Sequence, residues 1–382
     1  MSISLTNHLK LPTELLSMSN DLAIQTELNL IDTVKKRKLF VRYIEENKIL
    51  VGINLTKSIF IFSKGSPGIT DLLSGYIITK NAGFLGVVLN RLLIILIKFL
   101  SVLPASLFKQ TKIRSKYNII TWRKGSRYRF VSIDSESILD FAKKKSSIAI
   151  RREIEARLEH SDDISIPKLL AYGENFNFFE QELIRGKSLL TLNPKEIDRN
   201  EVLVDVFGQL VKIYEKSLVK VHFSEYLAQL TETILGTKLI SLKNKDKIKS
   251  AADMLKYEDG STLFLCNVHG DFNLGNIVVA DHQNYILDWE RSGTCSAAHD
   301  YFNLFWFLEH IHSSNGFDLS RIENKPFFSK ILKLSHPSNF QHYEFVYFLE
   351  RVIMWITYPH SNQKWLDTLL KIMDIKIKTY DY

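Results

Sequence analysis

Three side chains within twenty residues of one another could manage a divalent cation and a proton at one place. His269-Gly270-Asp271 is followed by Asn276 and, after an apolar run, by Asp288-Trp289-Glu290. Residues 263–268 before it are mostly apolar, and the runs 277–280 and 284–287 flank a polar turn, Asp281-His282-Gln283, as in a β-hairpin. With a three-residue turn Ala280 pairs with Asn284, and pairing outward sets Asn276 opposite Asp288, about 5 Å apart at the Cβ atoms. An amide oxygen and a carboxylate converging there make a hard-oxygen site suited to Mg²⁺. Asp271 lies in the loop entering the hairpin and reaches the same volume. A carboxylate beside a metal-bound triphosphate can accept the proton of an attacking alcohol, or orient it. Gly-Asp alone is ordinary turn chemistry, so the weight rests on the combination.

The rest of the chain must position that constellation. Its 382 residues, 45% hydrophobic and 24% charged, suffice for more than one packed core. The formal charge of +8 invites an anionic partner, but the basic residues are dispersed in short clusters such as Lys35-Lys36-Arg37-Lys38. No nucleic-acid module accompanies them, so nucleic acid is not expected as a partner, and no obligate protein partner is inferred. Two cysteines, Cys266 and Cys295, supply no disulfide framework, and the N-terminus lacks a secretory pattern. The expectation is a cytoplasmic protein.

Three regions are expected. Residues 1–113 form an N-terminal region of unknown role, with strand-like runs at 49–53 and 58–62 and an apolar helix at about 84–108. Arg91 and Lys98 interrupt that helix seven residues apart, on one face. The longest uninterrupted apolar run between them is far short of the roughly 20 residues a membrane span requires. A buried packing helix fits, and so does peripheral contact with the inner face of an anionic membrane. Residues 114–187 read as a small β-rich lobe with strands near 118–122, 127–133 and 138–143 and a turn at Gly125-Ser126. A helix there is capped by Ser147 and carried by Ile150, Ile154 and Leu158. Residues 188–382 read as helical, interrupted by the strand-rich insert that holds the motif.

The run His269-Gly270-Asp271, Asn276, Asp288-Trp289-Glu290 resembles the aminoglycoside phosphotransferase and choline kinase-like family, relatives of the protein kinases. The resemblance implies an α+β, bilobal protein-kinase-like fold, a small β-rich lobe and a larger helical one, here with an extra N-terminal region. It implies ATP and Mg²⁺ as cofactors, Asp271 as catalytic base, and Asn276 and Asp288 as metal ligands. His269 would stabilise the loop, and Asp300 would hold it through backbone hydrogen bonds. A phosphate-binding lysine paired with a helix glutamate is also implied: Lys143 with Lys144 as competitor, and Glu153 with Glu155 as competitor. Residues 180–186 resemble the hinge that meets the adenine. No Gly-rich loop is present; the only candidate hairpin, 123–127, has a single glycine. The implied activity is ATP-dependent transfer of the γ-phosphoryl group to a hydroxyl of a small molecule: a sugar, amino alcohol or glycan-type acceptor. The basic chain suits neutral or anionic alcohols better than polycationic ones. The rival readings are a catalytically silent nucleotide-binding scaffold and a metal-dependent phosphohydrolase using His269, Asp271, His299 and Asp300.

Overall fold

The computed structural model describes residues 41–45, 48–53, 58–63, 119–122, 127–132, 135–142, 148–193, 195, 197–255, 262–280, 283–310, 317–324, 326–332, 338–357 and 363–377. Two compact units divide the chain, 1–147 with 169–183 and 148–168 with 184–382.

The first unit is built on an antiparallel sheet. Its described strands are β1 (Val41–Glu45), β2 (Lys48–Ile53), β3 (Ser58–Ser63), β4 (Ile119–Trp122), β5 (Arg127–Ser132), β6 (Ser137–Ala142), β7 (Leu169–Tyr172) and β8 (Phe178–Glu182). They lie in the order β1-β2-β3-β4-β5-β6-β8-β7. Runs such as Ile59-Phe60-Ile61-Phe62 and Ile119-Ile120-Thr121-Trp122 carry the β-branched and aromatic residues that suit a pleated surface. β3 pairs with β4 through Ser58↔Thr121, Ile59↔Ile120 and Phe60↔Ile119, so strands from the N-terminal region extend the sheet of the β-rich lobe. Register between β5 and β6 is pinned by Arg129, directly opposite the fully buried Asp140. Its Nε and Nη2 donate to the two carboxylate oxygens at 2.8 and 2.7 Å, a charge-assisted fork. The 84–108 segment, the turn at 125–126, Lys143 to Lys145 and the cap at Ser147 lie outside the described residues. Among the described residues, no helix is long and apolar enough to cross a membrane.

The second unit begins with α1 (Ile148–His160) and continues through β9 (Lys187–Ser188), α2 (Arg199–Ser217), β10 (Val219–His222), α3 (Phe223–Gly236) and α4 (Leu242–Leu255). Then follow β11 (Thr262–Val268), a 3₁₀ turn (Leu274–Asn276), β12 (Ile277–Ala280), β13 (Gln283–Ile286) and β14 (Gly293–Ser296). Helices α5 (His299–His310), α6 (Ser320–Glu323), α7 (Pro326–Leu332), α8 (Ser338–Thr357) and α9 (Gln363–Ile377) complete it. Asp198 caps α2 by accepting from the amides of Asn200 and Glu201, which would otherwise lack partners. Val202, Val206, Leu210, Ile213 and Phe207 then face the core at helical spacing. α8 is buried on every side over residues 342–352, as befits a helix in the middle of a core. The core reaches the functional loop through Phe272, whose ring meets Phe207 edge-on at 4.9 Å.

Candidate active site

β11 delivers the chain into the loop at 269–276, and the core fixes that loop from below. Asp300, in the first turn of α5, accepts from the His269 amide and the Tyr214 hydroxyl, both at 2.8 Å, on one oxygen. Its other oxygen accepts from the Gly270 amide at 2.9 Å. Arg351 of α8 donates to the Gly270 carbonyl at 3.0 Å, and Asn303 of α5 donates to the Phe272 carbonyl at 2.8 Å. Gly270 has φ +81°, and a Cβ there would stand 2.1 Å from the Arg291 carbonyl oxygen, so only glycine fits. His269 is fully buried with its ring on Trp289, centroids 4.7 Å apart. Its Nδ1 accepts from the Asp271 amide at 3.2 Å, which puts the proton on Nε2, 2.8 Å from the Leu287 carbonyl. Both ring nitrogens are thus committed to backbone.

Asp271 differs from these groups in keeping a quarter of its side chain exposed. Arg351 and Arg291 place their Nη1 atoms 3.4 and 3.9 Å from its Oδ1. Burial pushes the carboxyl up, but Arg291 and Arg351 outweigh it and hold the group below the ordinary aspartate range, against a smaller push from Asp288. A carboxylate held ionised in this way can accept a proton. Asn276 ends the 3₁₀ turn that Asn273 caps, and its Nδ2 donates to the Asp271 carbonyl at 2.9 Å. That orientation leaves Oδ1 as the atom able to serve a cation, without a hydrogen-bond partner among the described residues.

The hairpin corrects the expected register. Ala280 pairs with Gln283, not Asn284, and Ile277 with Ile286, leaving a two-residue connection, the length whose twist best matches the flanking strands. Asn276 therefore stands across from Leu287, whose amide donates to its carbonyl at 2.8 Å. A strand continued beyond Leu287 would carry Asp288 past Asn276. The chain leaves the strand direction instead, because Asp288 adopts φ +70°, a left-handed conformation that aspartate tolerates better than most residues. Its charge acts on the Asp271 carboxyl, so the two acids share one neighbourhood.

His269, Asp271, Asn276, Asp288 and Asp300 are thus brought together. Lys143 lies outside the described residues. Glu153 on α1 is buried and ion-paired with Arg157, which also donates to its backbone carbonyl at 2.8 Å; Glu155 instead meets the exposed Arg151. Helical spacing left these two glutamates level, and burial separates them. The ligand set expected of a phosphohydrolase does not form. Both Asp300 oxygens are filled by N–H and O–H donors, and His299 turns to Glu350, with Nδ1 2.6 Å from Oε2. Arg291 and Arg351 were not foreseen. Arg291 directly follows the motif, and Glu350-Arg351 is a charged pair inside an apolar helix, a pattern that flags buried, partnered charge.

A β-rich unit, a mainly helical unit and a loop–hairpin of this design define an α+β, bilobal protein-kinase-like fold. Residues 123–317 match the phosphotransferase enzyme family, and the chain belongs to it. Similar solved structures include a choline/ethanolamine kinase family protein from Mesorhizobium loti, 15% identical over 68% of this chain and 88% of that one, TM-score 0.45. The choline kinase LicA from Streptococcus pneumoniae is 16% identical over 67% and 90%, TM-score 0.47. A thermostable mutant of the aminoglycoside phosphotransferase APH(4)-Ia, in ternary complex with AMP-PNP and hygromycin B, is 12% identical over 68% and 93%, TM-score 0.49. No curated protein matches the sequence.

Proposed function

We propose that this protein transfers the γ-phosphoryl group of ATP to a hydroxyl of a small molecule, with Asp271 as the base. The observation that carries this is an aspartate kept ionised by two guanidinium groups and tied through its own carbonyl to the Asn276 amide. Asn276 Oδ1 and the Asp288 carboxylate offer hard oxygens of the kind Mg²⁺ takes, and these two residues would hold it. The ion, when bound, neutralises charge on the triphosphate.

Asp271 orients the acceptor hydroxyl and takes its proton as the new O–P bond forms and the bond to the β-phosphate oxygen breaks. His269 and Asp300 keep the loop in the conformation that aims Asp271. Lys143 and Glu153 are assigned to the nucleotide side, the lysine as the cation on the phosphates. The regions at 1–113, 114–187 and 188–382 would correspond to an N-terminal addition, the β-rich lobe and the catalytic lobe. The acceptor is a sugar, amino alcohol or glycan-type alcohol rather than a polycation, on the overall charge of +8. Two free, buried cysteines support a reducing, cytoplasmic setting.

The test is an ATP-consumption screen against sugars, amino alcohols and aminoglycosides with Asp271→Asn as the blank. The variant is expected to lose roughly 10² to 10⁴ of the turnover seen with the best acceptor, while its nucleotide affinity stays close to that of the parent. Turnover that survives in Asp271→Asn rejects the assignment. Nucleotide binding with no transfer across the panel would favour a silent scaffold.

A further inference from the structure

A second convergence of ligating side chains lies beneath the loop, and the phosphotransfer machinery does not use it. Cys295 lies near the end of β14, and His299, four residues on, opens α5; Glu350 comes from α8. One potential ligand atom from each lies within 4.8 Å of the other two, and all three residues are buried.

The carboxylate is held in place from behind. Glu350 Oε1 accepts from the Ser296 amide at 2.6 Å and the Tyr226 hydroxyl at 2.8 Å. Oε2 accepts from the Ser296 hydroxyl at 3.0 Å and faces His299 Nδ1 at 2.6 Å. Oε1 is thereby fixed by two donors, whereas both partners of Oε2 can be displaced, the Ser296 hydroxyl by rotation and the His299 proton by loss, so Oε2 and Nδ1 are the atoms that would turn to a metal. The other imidazole nitrogen, His299 Nε2, is buried with no hydrogen-bond partner among the described residues, so the contact to Glu350 is what anchors the ring. Cys266 stands directly across the strand pair from Cys295, a second buried free thiol on the adjoining strand.

Thiol, imidazole and carboxylate donors in a dry pocket, two of them at Cys-x₃-His spacing, are the set zinc selects. Magnesium and calcium avoid sulfur. We propose that Cys295, His299 and Glu350 form a structural Zn²⁺ site. Zinc binding releases the Cys295 thiol proton and the proton between His299 and Glu350. The site joins β14, α5 and α8. Asp300 is the next residue after His299, and Arg351 the next after Glu350, so the two side chains that hold the catalytic loop are anchored by the same ligands. Its role is to fix that platform. It stands apart from the Asn276–Asp288 oxygens, which carry no soft donor, and does not depend on the reading proposed for them.

The experiment uses the full chain, purified without chelator, with zinc content measured by elemental analysis. About one zinc per chain is expected, along with loss of thermal stability on chelation that Zn²⁺ restores and Mg²⁺ does not. Replacing zinc by Co²⁺ should give a thiolate-to-cobalt charge-transfer band, and Cys295→Ser and His299→Gln should each lose the stoichiometric metal. A wild-type chain that is metal-free as purified, takes up no added Zn²⁺ and shows no such band with Co²⁺ overturns the proposal, leaving a buried His299–Glu350 pair. Metal retained in full by both variants also overturns it, because the ion would then sit elsewhere. The wild-type measurements decide the matter even if a variant fails to fold.

Discussion

The loop at 269–276 and the helix start at 299–300 each contribute an aspartate to the candidate site, and their surroundings divide the work between them. Asp300 is almost fully buried, and its oxygens meet three N–H or O–H donors belonging to the fold. Asp271 keeps part of its carboxylate open and is balanced by arginines, and among the described residues no backbone amide fixes its oxygens. A carboxylate whose acceptor sites are filled is a clamp. One whose charge is balanced but whose oxygens are not all occupied can still be a reagent.

The strongest way to break this comparison is to remove the clamp. Asp300→Ala strands the amides of His269 and Gly270 and the Tyr214 hydroxyl in the core, at about 3 kcal/mol of stability or more. Asp271→Asn should change stability far less while lowering transfer by roughly 10² to 10⁴. Urea denaturation of both variants checks this, and comparable losses would mean that the two aspartates do not divide the work. Glu153→Gln tests the same rule in α1. It leaves Arg157 buried beside a neutral partner, for a loss of about 3 kcal/mol. Glu155→Gln, on an exposed pair, should shift stability by only a few tenths of a kcal/mol. A Glu155 effect as large as that of Glu153 would show that burial does not set the order.

Gly270→Ala sharpens the picture at the level of backbone. The added methyl would press on the Arg291 carbonyl in a conformation with φ +81°, so about 2 kcal/mol of strain is expected. Because the Gly270 amide and carbonyl are bonded to Asp300 and Arg351, the strain should fall on the loop, lowering kcat for the best acceptor more than it raises KM for ATP. A melting temperature and turnover both equal to wild type would remove Gly270 from the account.

Much of this was legible from residue types. The motif put two carboxylates and an amide in one stretch, and its flanking apolar runs marked β11, β12 and β13. The hairpin register was not legible. A polar triplet reads equally as a two- or three-residue turn, and only the twist of the paired strands selects the shorter one. Nor could periodicity foretell that Asp288 turns left-handed, since a single backbone angle leaves no trace in a hydrophobic pattern. Glu153 and Glu155 are symmetric about the apolar stripe of α1, and what separates them is which side the core covers. Arg351 lies 80 residues from Asp271, so only tertiary structure pairs them. The joining of β3 to β4 is likewise non-local, across a long intervening segment, and strand-like composition does not name a partner.

The mildest test concerns the charge on Asp271. Its carboxyl titrates below the ordinary range in the folded chain because Arg291 and Arg351 outweigh burial. A group depressed on folding contributes stability above its unfolded value, near about pH 3.9 for aspartate, and loses that contribution as pH falls through the folded value. The stability advantage of wild type over Asp271→Asn, measured on metal-free protein, should therefore hold from neutrality down to about pH 4 and shrink below it. An advantage that grew on acidification would mean that burial, not the arginines, governs this carboxyl. Asp271 would then be protonated more readily than free aspartate, and the contrast with the clamp at Asp300 would lose its electrostatic half. Arg291→Gln separates the two guanidinium contributions, because its Nη1 lies farther from the carboxylate, at 3.9 Å, on a more exposed side chain than Arg351. If proximity governs, Arg291→Gln should move the acid limb less than Arg351→Gln does. If the Arg291 charge is instead the larger of the two influences that lower the carboxyl, the order reverses.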